Sequence, residues 1–341
     1  MGSMASTGSS TIVTAIGGSS GGNSLLYWWQ AFRTKPWNQE TVAMDLSGFG
    51  WPAIAWTGSG AVIAAIDSGG KLYYWWQAAG TAPWHQQHVA SDLAPGQPAT
   101  IAWTGSGVVI AAVDTSGNIQ YWWQAAGTAP WHQQLVAQAG VVTVPGEPPV
   151  MSYGAPAITA TDSFVGIVAV DTNGDLTYWQ QAFGTVPWNG TVVPGGSYTA
   201  PDIASAGGSV VVTVVDSSGK LYYATQNVFG NLTPPTLVDA PHGHAPYHLP
   251  KIAWTGSSAI IACVDSDHNV NFWEQTNSSP PFNHQTVATT VGGSGGVSSP
   301  AIAWTGHSVI VAALTGSGDL DFWWQAPGSV QWHKETVANV G

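Results

Sequence analysis

Basic residues are scarce in this chain. Lys and Arg together number 6 in 341 residues, against 18 Asp and Glu, for a formal net charge of −12. Nucleic acid demands a basic footprint to neutralise phosphate, and anionic lipid demands the same, so neither is an expected partner. Cysteine occurs once, as Cys263, which excludes an intrachain disulfide. Its setting, Ile260-Ile261-Ala262-Cys263-Val264, reads as a small buried hydrophobe rather than a reactive thiol. No apolar run is long enough for a membrane-spanning helix, and no membrane insertion is expected. No segment carries a convincing helical period. The start, Met1 to Ser6, lacks the basic and apolar regions of a signal peptide. It matches a myristoylation pattern, but the second methionine, Met4, reads as an expression scar. A soluble protein is expected, with export or delivery to a cell surface left open.

Aromatic residues and turn formers are abundant: 20 Trp, 42 Gly and 22 Pro, with 44% hydrophobic residues overall. That composition builds a core and excludes disorder. The glycines follow no collagen period and so mark turns. Tyr-Trp-Trp-Gln recurs intact at Tyr27–Gln30, Tyr74–Gln77 and Tyr121–Gln124. Weaker copies follow at Tyr178–Gln181, Tyr223–Gln226, Phe272–Gln275 and Phe322–Gln325. The seven copies are 45 to 57 residues apart. Such a period means one supersecondary unit built repeatedly, each copy burying its face on the next.

One unit shows what is repeated. Pro52-Ala53-Ile54-Ala55-Trp56-Thr57-Gly58 opens the second copy. An apolar run, Ala61 to Ile66, leads through the turn Asp67-Ser68-Gly69-Gly70 to Leu72-Tyr73-Tyr74-Trp75-Trp76-Gln77. A Gly/Pro loop then leads to Trp84-His85-Gln86-Gln87. Four short β-type runs separated by turns predict a four-stranded antiparallel meander. Seven of these predict an all-β, seven-bladed β-propeller in a single domain. The repeats fall at about 1–50, 51–97, 98–154, 155–199, 200–249, 250–299 and 300–341. Six copies place Pro at the opening strand, where a missing N–H costs no ladder bond. In the first copy, Ala5-Ser6-Thr7-Gly8 aligns on Ala55-Trp56-Thr57-Gly58, so its first strand is expected to be short or absent.

Comparing the copies separates scaffold from candidate site. The motif Gln stands in all seven, including the fifth, which has lost both Trp. It reads as a hydrogen-bonder tying blades together, with a ligand contact as the alternative. The turn Asp (Asp67, Asp114, Asp171, Asp216, Asp265) reads as a backbone acceptor. The first motif Trp remains in six copies and reads as packing between blades. The second, Trp29/Trp76/Trp123/Trp324, becomes Gln180, Thr225 and Glu274 elsewhere. Polar replacements imply partial exposure. Exposed indoles beside Gln77, Thr57 and His85, at low charge, suit a neutral polyhydroxylated ligand. Repeating a weak pocket around a ring raises apparent affinity.

Pro-Ala-Ile-Ala-Trp, Asp-x-x-Gly, Leu-Tyr-Tyr-Trp-Trp-Gln and Pro-Trp-His resemble the blades of tectonin-like propeller lectins, and in particular the seven-bladed Photorhabdus-type family. The resemblance implies a soluble lectin, often oligomeric. It implies glycan or glycoconjugate partners, with fucose or O-methylated sugars bound between adjacent blades. The implied carbohydrate-binding set is Trp28, Trp29, Trp56, Trp75, Trp76, Trp84, Trp103, Trp122, Trp123, Trp304, Trp323 and Trp324. Third-strand Trp of one blade would face first-strand Trp of the next. That pairing is complete for Trp28/Trp29 with Trp56 and for Trp75/Trp76 with Trp103. It is incomplete for Trp122/Trp123, which face Thr159-Ala160, and for Trp323/Trp324, which face Ser6. The junctions of blades 4/5 and 5/6 are expected to be silent. Fungal six-bladed fucose lectins fit less well, because their pockets use a recurrent Arg and Arg33 is the only one here.

Two other classes remain: a structural or protein-interaction propeller without catalysis, and, less well supported, a glycoside hydrolase. Hydrolysis needs two carboxylates across one bond. The acids here are mostly repeated turn Asp, with scattered Glu40, Glu147, Glu274 and Glu335. No cofactor or metal is expected. Asp171-Thr172-Asn173-Gly174-Asp175 and Asp265-Ser266-Asp267-His268-Asn269 echo calcium loops but align with ordinary hairpins and lack the later Glu of an EF-hand. His242, His244 and His248 cluster in a Pro-rich loop and read as exposed rather than zinc-binding. Asn189, Asn231 and Asn277 head glycosylation sequons.

Overall fold

A computed structural model describes residues 2–19, 22–31, 36–44, 46, 48–78, 83–125, 130–141, 150, 152–183, 187–241, 246–276, 279–289, 299–326 and 328–340. Arg33, Glu147, His242, His244 and Asn277 lie outside them. The described chain forms seven four-stranded sheets, each antiparallel and in sequence order. Blade 1 spans residues 2–43, blade 2 53–90, blade 3 100–137 and blade 4 157–193. Blade 5 spans 198–239, blade 6 247–288 and blade 7 301–339. First strands pack on first strands in order, and that of blade 1 packs on that of blade 7, which closes a seven-bladed propeller. Among the described residues there is no helix, and so none long and apolar enough to cross a membrane.

Each strand of a blade has its own reason. The second strand is a continuous apolar run, and all seven residues of Gly60–Ile66 and of Gly107–Val113 are buried. Such a run fits a strand covered on both faces, here by the two neighbouring blades. The third strand alternates. Tyr74 and Trp76 turn toward blade 3, whereas Trp75 packs with Ile12, Leu25 and Tyr27 of blade 1. The fourth strand, such as His85–Ala90, is the mostly exposed outer edge. The first strands line a central cavity of about 280 Å³, walled in part by Pro52, Pro98, Pro156, Pro201, Pro250 and Pro300.

Two hairpins recur. Thr57 closes the first: its Oγ1 donates to Gly60 O (3.0 Å) and accepts from Gly60 N (3.0 Å). Asp67 closes the second, its Oδ1 accepting from Gly69 N (2.9 Å) and Lys71 N (2.8 Å). Asp114, Asp171, Asp216 and Asp265 accept in the same way, as their turn assignment requires. The Gly ending this hairpin is fixed by close approach. Gly70 has φ 75° and a Cβ there would strike the Leu93 carbonyl, which crosses over it. Cys263 is fully buried, and burial pushes its thiol up.

Two expectations are corrected. The first strand of blade 1 is present, Gly2–Ser6, paired from Gly2↔Ala15 to Ser6↔Thr11. Backbone pairing needs no Trp, so loss of the motif residues does not remove the strand. In blades 5 and 6 the proline does not start the strand. Pro201 and Pro250 sit inside longer strands at register shifts, beside Ala200 (φ 45°) and Leu249 (φ 49°). A bulge leaves the missing N–H without a ladder partner to lose.

No strand is exchanged at closure. Between blades 2 and 3, Leu93 N donates to Gly70 O (3.0 Å) and Ala94 N to Val113 O (2.9 Å). The chain end repeats this device: Val340 N donates to Gly318 O (2.7 Å), and Gly18 N of blade 1 donates to Val340 O (3.2 Å). The Val340 side chain packs with Met4, Val13 and Trp28 of blade 1. The Val340→Ala variant is expected to lose about 1–2 kcal/mol in denaturant unfolding. Val141→Ala, at a position 42% exposed, is the control and should stay within about 0.5 kcal/mol.

Candidate functional site

Alternation along the third strand sorts the paired tryptophans. Trp28, Trp75, Trp122 and Trp323 are 1–3% exposed and lie in the cores between blades. Trp28 Nε1 donates to Gln39 Oε1 (3.0 Å). These four are therefore withdrawn from the ligand-facing set: a side chain enclosed on all sides offers no face to a solute. Trp29, Trp76, Trp123 and Trp324 are half-buried and face the next blade. Trp56, Trp103 and Trp304 are half-buried on the first strands they were paired with, and Trp56 and Trp103 pack in the same clusters as Trp29 and Trp76.

The half-buried indoles are held by stacking. Trp29 lies on Tyr27, with centroids 5.5 Å apart and planes at 22°. Trp76 lies on Tyr74 (5.5 Å, 16°) and on His85 (5.1 Å, 24°), and Trp123 on Tyr121 (5.6 Å, 20°) and His132 (5.1 Å, 22°). Separations above 5 Å are offset stacks, which leave part of the indole uncovered. Blade 1 has Asn38 opposite Trp29 where blade 2 has His85 opposite Trp76, so no imidazole covers Trp29. Trp84, just before the fourth strand, meets Tyr27 edge-on at 5.1 Å, and Trp131 and Trp188 meet Tyr74 and Tyr121 likewise. Burial pushes the hydroxyls of Tyr27, Tyr74 and Tyr121 upward, and Glu40 adds to this at Tyr27. All three phenols stay protonated.

The motif Gln bridges blades, as its survival in every copy suggested. Gln77 Nε2 donates to Glu40 Oε2 of blade 1 (2.7 Å), and Gln30 Nε2 to Glu335 Oε2 of blade 7 (3.1 Å). Gln181 reaches Gln134 (3.0 Å), Gln325 reaches Gln285 (2.7 Å) and Gln124 reaches Gln87 (3.4 Å). The acceptor was missed in the sequence. It is the fourth-strand residue paired with the motif aromatic, as in Tyr27↔Glu40, Tyr74↔Gln87 and Tyr121↔Gln134. A signal was present: Glu or Gln stands three residues after Trp37, Trp84, Trp131 and Trp332. Glu40 also accepts from Trp84 Nε1 (3.0 Å), as Gln285 does from Trp332 Nε1 (3.0 Å).

These parts enclose recesses. Between blades 1 and 2 a recess of about 240 Å³ is walled by Tyr27, Trp29 and Trp56, with Glu40 and Gln77 in its lining and Thr7, Ser9 and Ser10 beside them. Between blades 3 and 4 a recess of about 260 Å³ is walled by Tyr121, Trp123, Val165 and Phe183, with Gln124, Gln134 and Gln181. The second was expected to be incomplete for want of a first-strand Trp. Phe183, 42% exposed, forms part of its wall. At the 4/5 junction the recess is lined by Phe164, Gln180, Gln226 and Val228 with no indole, and Gln180 Oε1 accepts from Gln226 Nε2 (2.7 Å). Two polar groups expected to meet a ligand are otherwise engaged: the Thr57 hydroxyl in its turn and the Gln77 amide on Glu40. Of the weaker signals, His248 Nε2 contacts Ser266 Oγ (2.8 Å), and no cluster of three His, Cys, Asp or Glu occurs among the described residues.

With this geometry in view, solved structures place the fold. The BP39L lectin from Burkholderia pseudomallei superposes with a TM-score of 0.74 at 19% identity, covering 99% of this chain and 98% of that one. The Aleuria aurantia lectin, a six-bladed propeller with a fucose recognition mode, gives 0.54 at 12% identity over 83% of this chain and 96% of its own. A prolyl endopeptidase gives 0.59 at 9% identity, with this chain spanning 49% of its length. At these identities the likeness is one of fold. No family model and no curated protein matches the sequence.

Glu40 invites a test of the bridge. Glu40→Gln reproduces the residue of blades 2, 3 and 6 and is expected to hold stability within about 0.5 kcal/mol. Glu40→Ala leaves Gln77 and Trp84 without their acceptor and is expected to cost about 1–3 kcal/mol in chemical denaturation.

Proposed function

We propose that this chain is a multivalent carbohydrate-binding lectin, with non-catalytic sites between adjacent blades that take a neutral sugar bearing an apolar face. The observation carrying this reading is the 1/2 recess, where half-buried Trp29 and Trp56 flank a lining that holds Ser9, Ser10 and the Glu40–Gln77 pair. An indole face takes the C–H face of a pyranose, and a few hydrogen-bonding groups fix its hydroxyls. Fucose, through its methyl group, and O-methylated sugars suit such aromatic walls. The fold likeness to the BP39L and Aleuria aurantia lectins agrees with this class of ligand. The proposed contacts are Trp29 with Trp56, Trp76 with Trp103, and Trp123 with Phe183, and Trp324 and Trp304 occupy the corresponding places at their junctions. Trp84 is a positioning residue at the first of these.

Hydrolysis is less well supported by the recesses. Two carboxylates would have to face one another across a bond. The 3/4 recess is lined by no acid, and the 1/2 recess by Glu40, whose Oε2 already takes two donors. A glycan array followed by calorimetry on the sugars it finds tests the proposal. Trp29→Ala combined with Trp123→Ala is expected to weaken binding by about 10-fold or more while the protein stays folded. Trp75→Ala is expected to cost about 3–5 kcal/mol of stability instead. Absence of binding across the array at high protein concentration would exclude the lectin reading in favour of a protein-interaction propeller.

A further inference from the structure

The hairpin between the second and third strands of blade 4 departs from those of blades 3, 5 and 6. In blade 3, Asp114 Oδ2 accepts from Asn118 Nδ2 (2.9 Å) and Gln120 Nε2 (2.8 Å). In blade 6, Asp265 Oδ2 accepts from Asn269 Nδ2 (3.0 Å) and Asn271 Nδ2 (3.0 Å). In blade 5, Asp216 Oδ2 accepts from Tyr222 OH (3.0 Å). In blades 3 and 6 the residues four and six places after the turn Asp face its outer oxygen and supply donors, and in blade 5 the residue six places after does so. Blade 4 has Asp175 and Thr177 at those places. One donor has become a second acid, and the other a short hydroxyl that makes no bond to Asp171.

The consequence is a buried group of oxygens with nothing to bind them. Asp171, Asp175 and Thr177 are 6%, 1% and 2% exposed. Asp171 Oδ2, Asp175 Oδ2 and Thr177 Oγ1 have no hydrogen-bond partner among the described residues. The inner oxygens are occupied: Asp171 Oδ1 by Asn173 N (2.8 Å) and Asp175 N (3.1 Å), and Asp175 Oδ1 by Gly195 N (2.8 Å). Two adjacent carboxylates out of water carry a penalty that only a counter-charge or neutralisation removes.

We propose that this hairpin is a divalent-cation site, of calcium type, in which Asp171 Oδ2, Asp175 Oδ2 and Thr177 Oγ1 are ligands. Two carboxylates balance the ion's charge, all three donors are hard oxygens, and calcium accepts an irregular shell completed by carbonyls and water. The turn reading of Asp171–Asp175 stands, since its Oδ1 bonds are those of every blade; the outer oxygens do the additional work. The proposal is independent of sugar binding.

The test uses thermal unfolding of the full chain with millimolar calcium and with a chelator. Calcium is expected to raise Tm by about 2–4 °C. Asp175→Asn restores the residue type of Asn118 and Asn269, so the variant is expected to fold, to be at least as stable as the parent in chelator, and to ignore calcium. Terbium emission excited through Tyr153, which bridges to Asp171, is expected in the parent, displaced by calcium and lost in Asp175→Asn. A parent Tm indifferent to calcium would overturn the proposal. A calcium shift that survives in Asp175→Asn would overturn it equally.

Discussion

The second strand of each blade is largely apolar and lies between two neighbouring blades, and the rest of the structure follows from covering it. A lone blade buries one face at most. Ala61 to Ile66 are at most 2% exposed only because blade 1 lies on one side and blade 3 on the other. Each added blade covers one face and presents another, so a linear array always leaves two apolar ends. Closure removes both. The latch through Val340 makes the last junction like those from 1/2 to 5/6 in hydrogen bonding, though not in covalent continuity.

The same constraint creates the candidate sites. Blades radiate from the channel, so the faces that touch near the second strand spread apart toward the third and fourth. Side chains there are half-covered by geometry, and the second motif Trp falls in that zone while the first falls in the core. The motif Gln marks the boundary, reaching back to the fourth strand of the preceding blade. Where the second Trp is lost, as at Gln180, a polar side chain takes its place and makes hydrogen bonds within the wedge. A fully enclosed position would not accept that exchange.

The blade count, strand order, turn Asp and bridging Gln were legible because each is a local pattern repeated in register. Comparison of copies also separated Trp29 from Trp28, since substitution by Gln or Glu reports partial exposure. The resemblance implies both indoles as ligand contacts, but alternation sends Trp28 and Trp29 to opposite faces. What was not legible depends on pairing across sequence. Glu40 matters because it lies opposite Tyr27 and beneath Gln77 at once, 37 residues from the latter. Phe183 stands two places after the motif Gln, where copies 2 and 3 have Ala79 and Ala126 and copy 1 has Phe32, so the comparison of motif residues passed over it. The bulges at Pro201 and Pro250 depend on left-handed residues beside them, Ala200 and Leu249, which no propensity foretells.

Repetition also makes the exceptions readable. Blades 3, 5 and 6 supply the comparison for the turn Asp, and Asp175 and Thr177 stand out only against them. The central claim is that the ligand meets the wedge and not the core. Fluorine NMR of protein labelled with 5-fluorotryptophan, titrated with α-methyl fucoside and other sugars found to bind, tests it most directly. The account predicts shifts at the resonances of Trp29, Trp56 and Trp123, with those of Trp28, Trp75 and Trp122 unmoved. Shifts confined to the buried set, or none at saturating sugar, would contradict it.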